Sequence, residues 1–184
     1  MSRTLVICYG NPGRLDDGIG AAFAKELQKM QLPGIEIDVD YQLSVEHAAA
    51  IAEYREVLFI DAAVSGPEPY FVERLTPQPA LSFSSHSVEP TALLALASEL
   101  FGAATKGFAL GIRGYVFNAF GEHLSSGALG NIQMALKVIE PALRRGELDR
   151  LANTDQTNHC TFAQPCDQRA PASKGDLLCQ TQSA

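Results

Sequence analysis

The chain has 184 residues, with 14 Lys and Arg against 21 Asp and Glu, a formal charge of −7, and hydrophobic residues make up 46% of it. That is enough chain and enough apolar content for one domain with its own core, without disulfide or metal support, and it excludes a disordered or fibrous protein. The negative balance and the lack of a basic stripe argue against a nucleic-acid ligand.

The longest apolar runs, Leu5 to Cys8 and Val57 to Ala63, fall far short of the roughly 20 residues that cross a bilayer, and no membrane span is expected. The opening MSRTLVICYG is too short in apolar residues for a signal-peptide core, so a cytoplasmic location is expected. Cys8, Cys160, Cys166 and Cys179 are read as thiols in that compartment.

Thr4 to Tyr9 is a continuous apolar run that ends in Gly10-Asn11-Pro12-Gly13, which predicts a buried strand and a tight loop. Ile19, Phe23, Leu27 and Met30 then share one helical face, with Asp16 or Asp17 standing where an N-cap carboxylate would sit. Ile35, Ile37, Val39, Tyr41 and Leu43 alternate with polar residues, the period of a half-buried strand near a sheet edge. Ser44 is placed to cap a short helix through about Tyr54. Val57 to Ile60, followed by Asp61, reads as a second buried strand, and Tyr70 to Leu75 as a further strand between prolines. Ser87 is placed to cap a leucine-rich helix that ends at Gly102, Phe108 to Phe117 is strand-like, and Ser125 is placed to cap a last helix that Pro141 would bend or split.

Strands alternating with helices predict a largely parallel sheet with helices on both faces, an α/β architecture whose ligands bind at the carboxyl ends of the strands. The pattern stops after Leu151. The expected division is therefore a domain over 1–151 and a polar, disordered tail over 152–184. Within that tail His159, Cys160, Cys166 and Cys179 match no compact zinc spacing.

Three residues could carry chemistry. Asp17 follows the first strand and reads either as a first-turn carboxylate favoured by the helix dipole or as one pointing into the cleft above the sheet. Asp61 ends an apolar strand, where a charge needs a partner, a metal or solvent, although a loop-binding Asp would look the same. His86 lies in a polar stretch, where a lone histidine is commonly just solvated. Two carboxylates and an imidazole would suit a borderline divalent cation such as Ni²⁺ or Zn²⁺ with open coordination positions.

Five pieces occur in order along about the first 150 residues: GNPGRLDDGIG, YQLSVEHA from Tyr41, VLFIDAA from Val57, HSVEPTALLALA from His86, and GEHLS from Gly121. In this the chain resembles the [NiFe]-hydrogenase maturation proteases, endopeptidases that remove a C-terminal extension from the hydrogenase large subunit. The resemblance implies a three-layer sandwich with a twisted, mostly parallel five-stranded sheet between helices, the phosphorylase/hydrolase-like arrangement.

It also implies that Asp17, Asp61 and His86 are the metal-binding and catalytic positions, with nickel supplied by the substrate rather than permanently bound. The partner would be the nickel-loaded large-subunit precursor. Some members carry Glu at the first position; Asp17 keeps the charge with one methylene less reach. Asp40 matches a substrate-recognition position, though the alternation alone reads it equally as an outward-facing strand residue. His47 is expected to be solvated or half-buried on its alanine-rich helix, and His123 stands in a loop where relatives often carry smaller residues.

Other classes fit less well. Peptidyl-tRNA hydrolases share the opening Gly-Asn-Pro-Gly but continue with a Thr-Arg-His-Asn run, where this chain has RLDDGIG and lacks a basic surface. The first turn has no Gly-x-Gly-x-x-Gly or Gly-Lys-Ser/Thr, and its two acids would repel phosphate. A noncatalytic chaperone of the hydrogenase large subunit would use the same residues as the protease.

Overall fold

A computed structural model describes residues 4–79 and 88–154 of the chain. The expected His86 and the four tail residues His159, Cys160, Cys166 and Cys179 lie outside them. The described elements are strands β1 (Thr4–Tyr9), β2 (Ile35–Asp40), β3 (Glu56–Ala63), β4 (Tyr70–Leu75) and β5 (Lys106–Arg113). Helices α1 (Ile19–Lys29), α2 (His47–Ile51), α3 (Pro90–Phe101), α4 (Ser126–Arg145) and α5 (Leu148–Thr154) accompany them, and a 3-10 turn spans Leu15–Gly18.

The strands form one sheet in the order β2-β1-β3-β5-β4. All neighbours are parallel except β4 against β5. The exception follows from chain length: a parallel return needs a crossover of a dozen or more residues, and the link 64–69 is too short for one. β2 is an edge strand, as its alternation predicts, whereas β1 and β3 are buried on both faces and apolar throughout their centres.

Alternate residues of the central strands serve two cores. Val6, Cys8, Leu58, Ile60, Phe108 and Leu110 pack with Ile19, Phe23 and Leu27 of α1 and with Ile132 and Ile139 of α4. Leu5, Ile7, Val57 and Phe59 pack on the other face with Ile51 of α2 and Leu93, Leu94 and Ala97 of α3. This is the three-layer α/β sandwich expected, with five strands, four of them parallel.

Several local expectations change. Neither Asp16 nor Asp17 caps α1, whose N-cap is Gly18 with no side-chain bond, because the 3-10 turn feeds the chain directly into the helix. Ser44 does not cap α2, which begins only at His47 behind Glu46. Glu89 stands at the N-cap of α3 with Pro90 as its first residue, and Ser87 lies outside the described residues.

Ser125 does cap α4, its Oγ accepting from the Ala128 N–H at 3.2 Å, and Pro141 sits inside that helix without ending it. The strand expected over Phe108 to Phe117 stops at Arg113, since the N–H groups of Tyr115 and Val116 leave the ladder for the Asp16 carboxylate. Helix α5, unmarked by the sequence pattern, carries regular structure past Leu151, and its Ala152 is buried in the larger core.

Gly20, in the first turn of α1, lets that helix lie directly on the end of β1. A Cβ there would stand 2.2 Å from the Tyr9 carbonyl oxygen, a backbone atom that no rotamer change can move aside. Gly20→Ala is expected to cost about 3 kcal/mol through overpacking, read as a lower urea midpoint with an unchanged m-value.

Candidate functional site

The strand order reverses at β1: β2 lies on one side of it and β3 on the other, which opens a crevice at the carboxyl ends of these two strands. The chain leaves β1 through Gly10, whose φ of +127° is a glycine conformation. Space demands glycine there too, because a Cβ would stand 2.1 Å from the Asp17 carbonyl oxygen and 3.6 Å from Asp61 Oδ1. The residue that turns the chain thus also draws Asp17 and Asp61 to the same few ångströms.

Each carboxylate is partly satisfied by nearby backbone. Asp17 Oδ2 accepts from the Asn11 N–H at 3.2 Å, and Asp61 Oδ1 accepts from the Ala62 N–H at 2.7 Å. Burial raises the Asp17 pKa above the usual carboxylate range against the opposing pull of the Asn11 N–H and Arg14. Burial also pushes Asp61 up to about 8; the Ala62 N–H works against this and the Asp17 charge adds to it. The Tyr9 phenol at the end of β1 is raised by burial and by the charges of Asp61 and Glu89. This edge of the sheet therefore gathers oxygen donors whose ionisation is opposed by burial and by one another, and a cation would favour their ionised forms.

The sign of the pH dependence follows. A group whose pKa is raised by folding stabilises the protein fully below its unfolded value, and that contribution is lost as pH climbs through the folded value. For Asp61 the window runs from about 3.8 to about 8, and Asp17 acts in the same direction. The urea midpoint is expected to fall across this interval, and to fall less in Asp61→Asn. A decline equally steep in the variant would assign the dependence to other groups.

Asp16, the neighbour that sequence reasoning treated only as an alternative cap, is fully buried. Its Oδ2 accepts from the N–H groups of Tyr115 at 2.8 Å and Val116 at 3.0 Å and from the Ser125 hydroxyl at 2.8 Å, and its Oδ1 accepts from the Ser125 N–H at 2.7 Å. Burial alone would raise its pKa, but the donors of Ser125, Tyr115 and Val116 together hold it below the usual range. Asp16 so fastens the loop after β5 to the turn that carries Asp17. The Leu15 N–H donates to the Gly121 carbonyl and the Gly121 N–H to the Gly13 carbonyl, which closes the same seam. The one sequence signal was the doubled acid, since a single carboxylate suffices for a cap.

Asp40 ends β2 in register with Tyr9, at the same edge of the sheet. Its Oδ1 accepts from the Tyr41 N–H at 2.6 Å. His47, expected to be solvated or half-buried, is buried at 6% exposure beneath the β2 carboxylates. Alanine-rich packing of α2 against Leu5 and Ile7 draws its first residue inward. His123 is exposed, close to the position a Gly121 Cβ would take. Among the described residues no group of three or more His, Cys, Asp or Glu is arranged to hold a metal ion, so the structure brings Asp17 and Asp61 together while His86 lies outside the described residues. Among the described residues no helix is long and apolar enough to cross a membrane.

The fold is shared with solved structures. The [NiFe] hydrogenase maturation protease HycI from Thermococcus kodakarensis KOD1 superposes with a TM-score of 0.61 at 19% identity, over 78% of this chain and 93% of that one. The hydrogenase maturating endopeptidase HybD from E. coli gives 0.55 at 21% identity, over 78% and 93%. A hydrogenase 2 maturation peptidase from Thaumarchaeota archaeon SCGC_AB-539-E09 gives 0.55 at 19% identity, over 77% and 97%. No protein-family model and no curated protein sequence matches the chain. The likeness establishes a common architecture, that of the same family the sequence motifs resemble.

Proposed function

We propose that the protein is an endopeptidase that removes the C-terminal extension of a nickel-loaded [NiFe]-hydrogenase large-subunit precursor, acting in the cytoplasm. The observation that carries this reading is the pairing of Asp17 with Asp61 around Gly10 at the switch point, in a fold shared with hydrogenase maturation proteases. Two half-buried carboxylates whose charges oppose one another favour the arrival of a cation, and oxygen donors of this kind suit a divalent ion that still has open positions.

In this reading the nickel belongs to the substrate, and Asp17, Asp61 and His86 complete its shell in the complex. Nickel supplies Lewis-acid polarisation of the scissile carbonyl. Asp61, whose ionisation burial opposes in the free protein, would hold the ion as a carboxylate after releasing its proton to solvent. Asp17, whose Oδ2 accepts from the Asn11 N–H, would offer its other oxygen to the ion. Asp40, at the same edge of the sheet, contacts the partner rather than the reacting atoms.

The test is incubation with nickel-loaded and nickel-free precursors of a cognate large subunit, followed by mass spectrometry. Loss of a C-terminal peptide from the nickel-loaded form alone is the expected result. Stable binding of the precursor with no change in its mass would replace the reading with that of a noncatalytic chaperone.

A further inference from the structure

His47 is the one buried histidine among the described residues, and its two ring nitrogens meet different surroundings. The Ser44 backbone N–H donates to Nδ1 at 3.0 Å, and the Ser44 hydroxyl lies 3.1 Å from the same nitrogen. On the opposite side Nε2 stands 3.6 Å from Asp38 Oδ2 and 3.8 Å from Asp40 Oδ2. Carboxylates accept only, and a nitrogen that already takes a backbone N–H has its lone pair committed, so both sides call for the proton on Nε2.

Asp38 and Asp40 are two apart on β2 and so share one face of the strand, and His47 at the start of α2 stands near both. Asp40 Oδ1 accepts from the Tyr41 N–H, and Oδ2 faces His47 Nε2 at 3.8 Å, close enough for the ring N–H dipole to bias its rotamer. An exposed aspartate at a strand end ordinarily samples several rotamers, and ordering it beforehand removes that cost from binding.

We infer that His47 is a positioning residue for partner recognition: its Nε2–H orients the Asp40 carboxylate at the carboxyl edge of the sheet, where the pair Asp38 and Asp40 receives a cationic or N–H donor group of the protein substrate. This rests on the reading of Asp40 as a substrate contact. His47 acts on the affinity for the precursor and not on the bond-breaking step.

Two experiments test it. Long-range ¹⁵N–¹H NMR of the full chain reads the His47 tautomer without any substrate. The Nε2–H form is expected, and the Nδ1–H form, donating to the Ser44 carbonyl that lies 3.1 Å from Nδ1, would overturn the inference whatever the enzyme cuts. Processing kinetics on the nickel-loaded large-subunit precursor supply the second test.

His47→Leu, apolar and of similar volume, is expected to raise KM about tenfold with kcat within about twofold, whereas His47→Gln, which returns an N–H donor near the Nε2 position, should recover most of the loss. The effect should not add to that of Asp40→Asn, because both remove one interaction. Unchanged KM in His47→Leu, a loss carried by kcat, or full additivity with Asp40→Asn would each overturn it. If the wild-type chain leaves the precursor intact, the proposed activity fails separately; the same variants are then compared by precursor binding, where equal affinity of wild type and His47→Leu would overturn the positioning role.

Discussion

Asp61→Asn is expected to reduce precursor processing by about 10³-fold or more while leaving the protein folded. The substitution keeps the side-chain shape and an acceptor for the Ala62 N–H but removes the only charge that β3 delivers to the crevice. Because burial and the Asp17 charge oppose that ionisation in the free protein, its removal relieves the folded state of an unfavourable group at high pH. The variant should therefore unfold at a higher urea concentration than wild type at pH 8 and at a similar one near pH 4. Loss of activity with gain of stability is the mark of a residue kept for chemistry. Wild-type processing in Asp61→Asn would remove Asp61 from the mechanism.

Asp16→Ala is expected to do the opposite, acting on the fold first. Four donors converge on this carboxylate, three of them backbone N–H groups, and alanine would strand them in a buried place. Charge-assisted bonds of this kind and the desolvated donors left behind place the loss at about 4–5 kcal/mol in urea unfolding. Asp16→Asn keeps one acceptor oxygen but turns an amide against donors, and should lose most of the same energy. Since the pKa of Asp16 is lowered by folding, its contribution is fully present above the ordinary carboxylate value and fades as pH drops through the lower folded value. The wild-type advantage over Asp16→Ala should accordingly narrow in acid. A difference under about 1 kcal/mol at pH 7 would show that the loop after β5 is held by other means.

How far the residues themselves announce this arrangement depends on the range of the interaction. β1, β3 and α1 carry their signal within a few neighbours, as an apolar run or a helical stripe, and they stand where expected. The start of α2 was misjudged because Ser44 turns its backbone N–H to the His47 ring instead of capping the helix with its hydroxyl. The end of β5 was misjudged for a long-range reason: the donors of Tyr115 and Val116 find Asp16, about a hundred residues earlier, and no local pattern encodes that choice. The site shows the same division. Asp61 was legible as a charge after an apolar strand, and Asp17 as the surplus acid of a pair, but their meeting around Gly10 needed the motif order and then the sheet order. The burial of His47 had no local signature, since an alanine-rich helix looks alike from either face.

The bond from Asp16 to Ser125 spans 109 residues of sequence and ties the first turn of the chain to the cap of its fourth helix. A contact of such separation carries a large loop-closure cost, and it is expected to close once β1, β3 and β5 lie side by side. During synthesis the turn that carries Asp17 leaves the ribosome about a hundred residues ahead of its clamp, which arrives only when Ser125 does. The crevice is thus unfinished over that interval, and a product ending before α4 holds both carboxylates but not the clamp on the turn that carries one of them. The turn then takes its final form late, as a property of the completed fold rather than of its own residues.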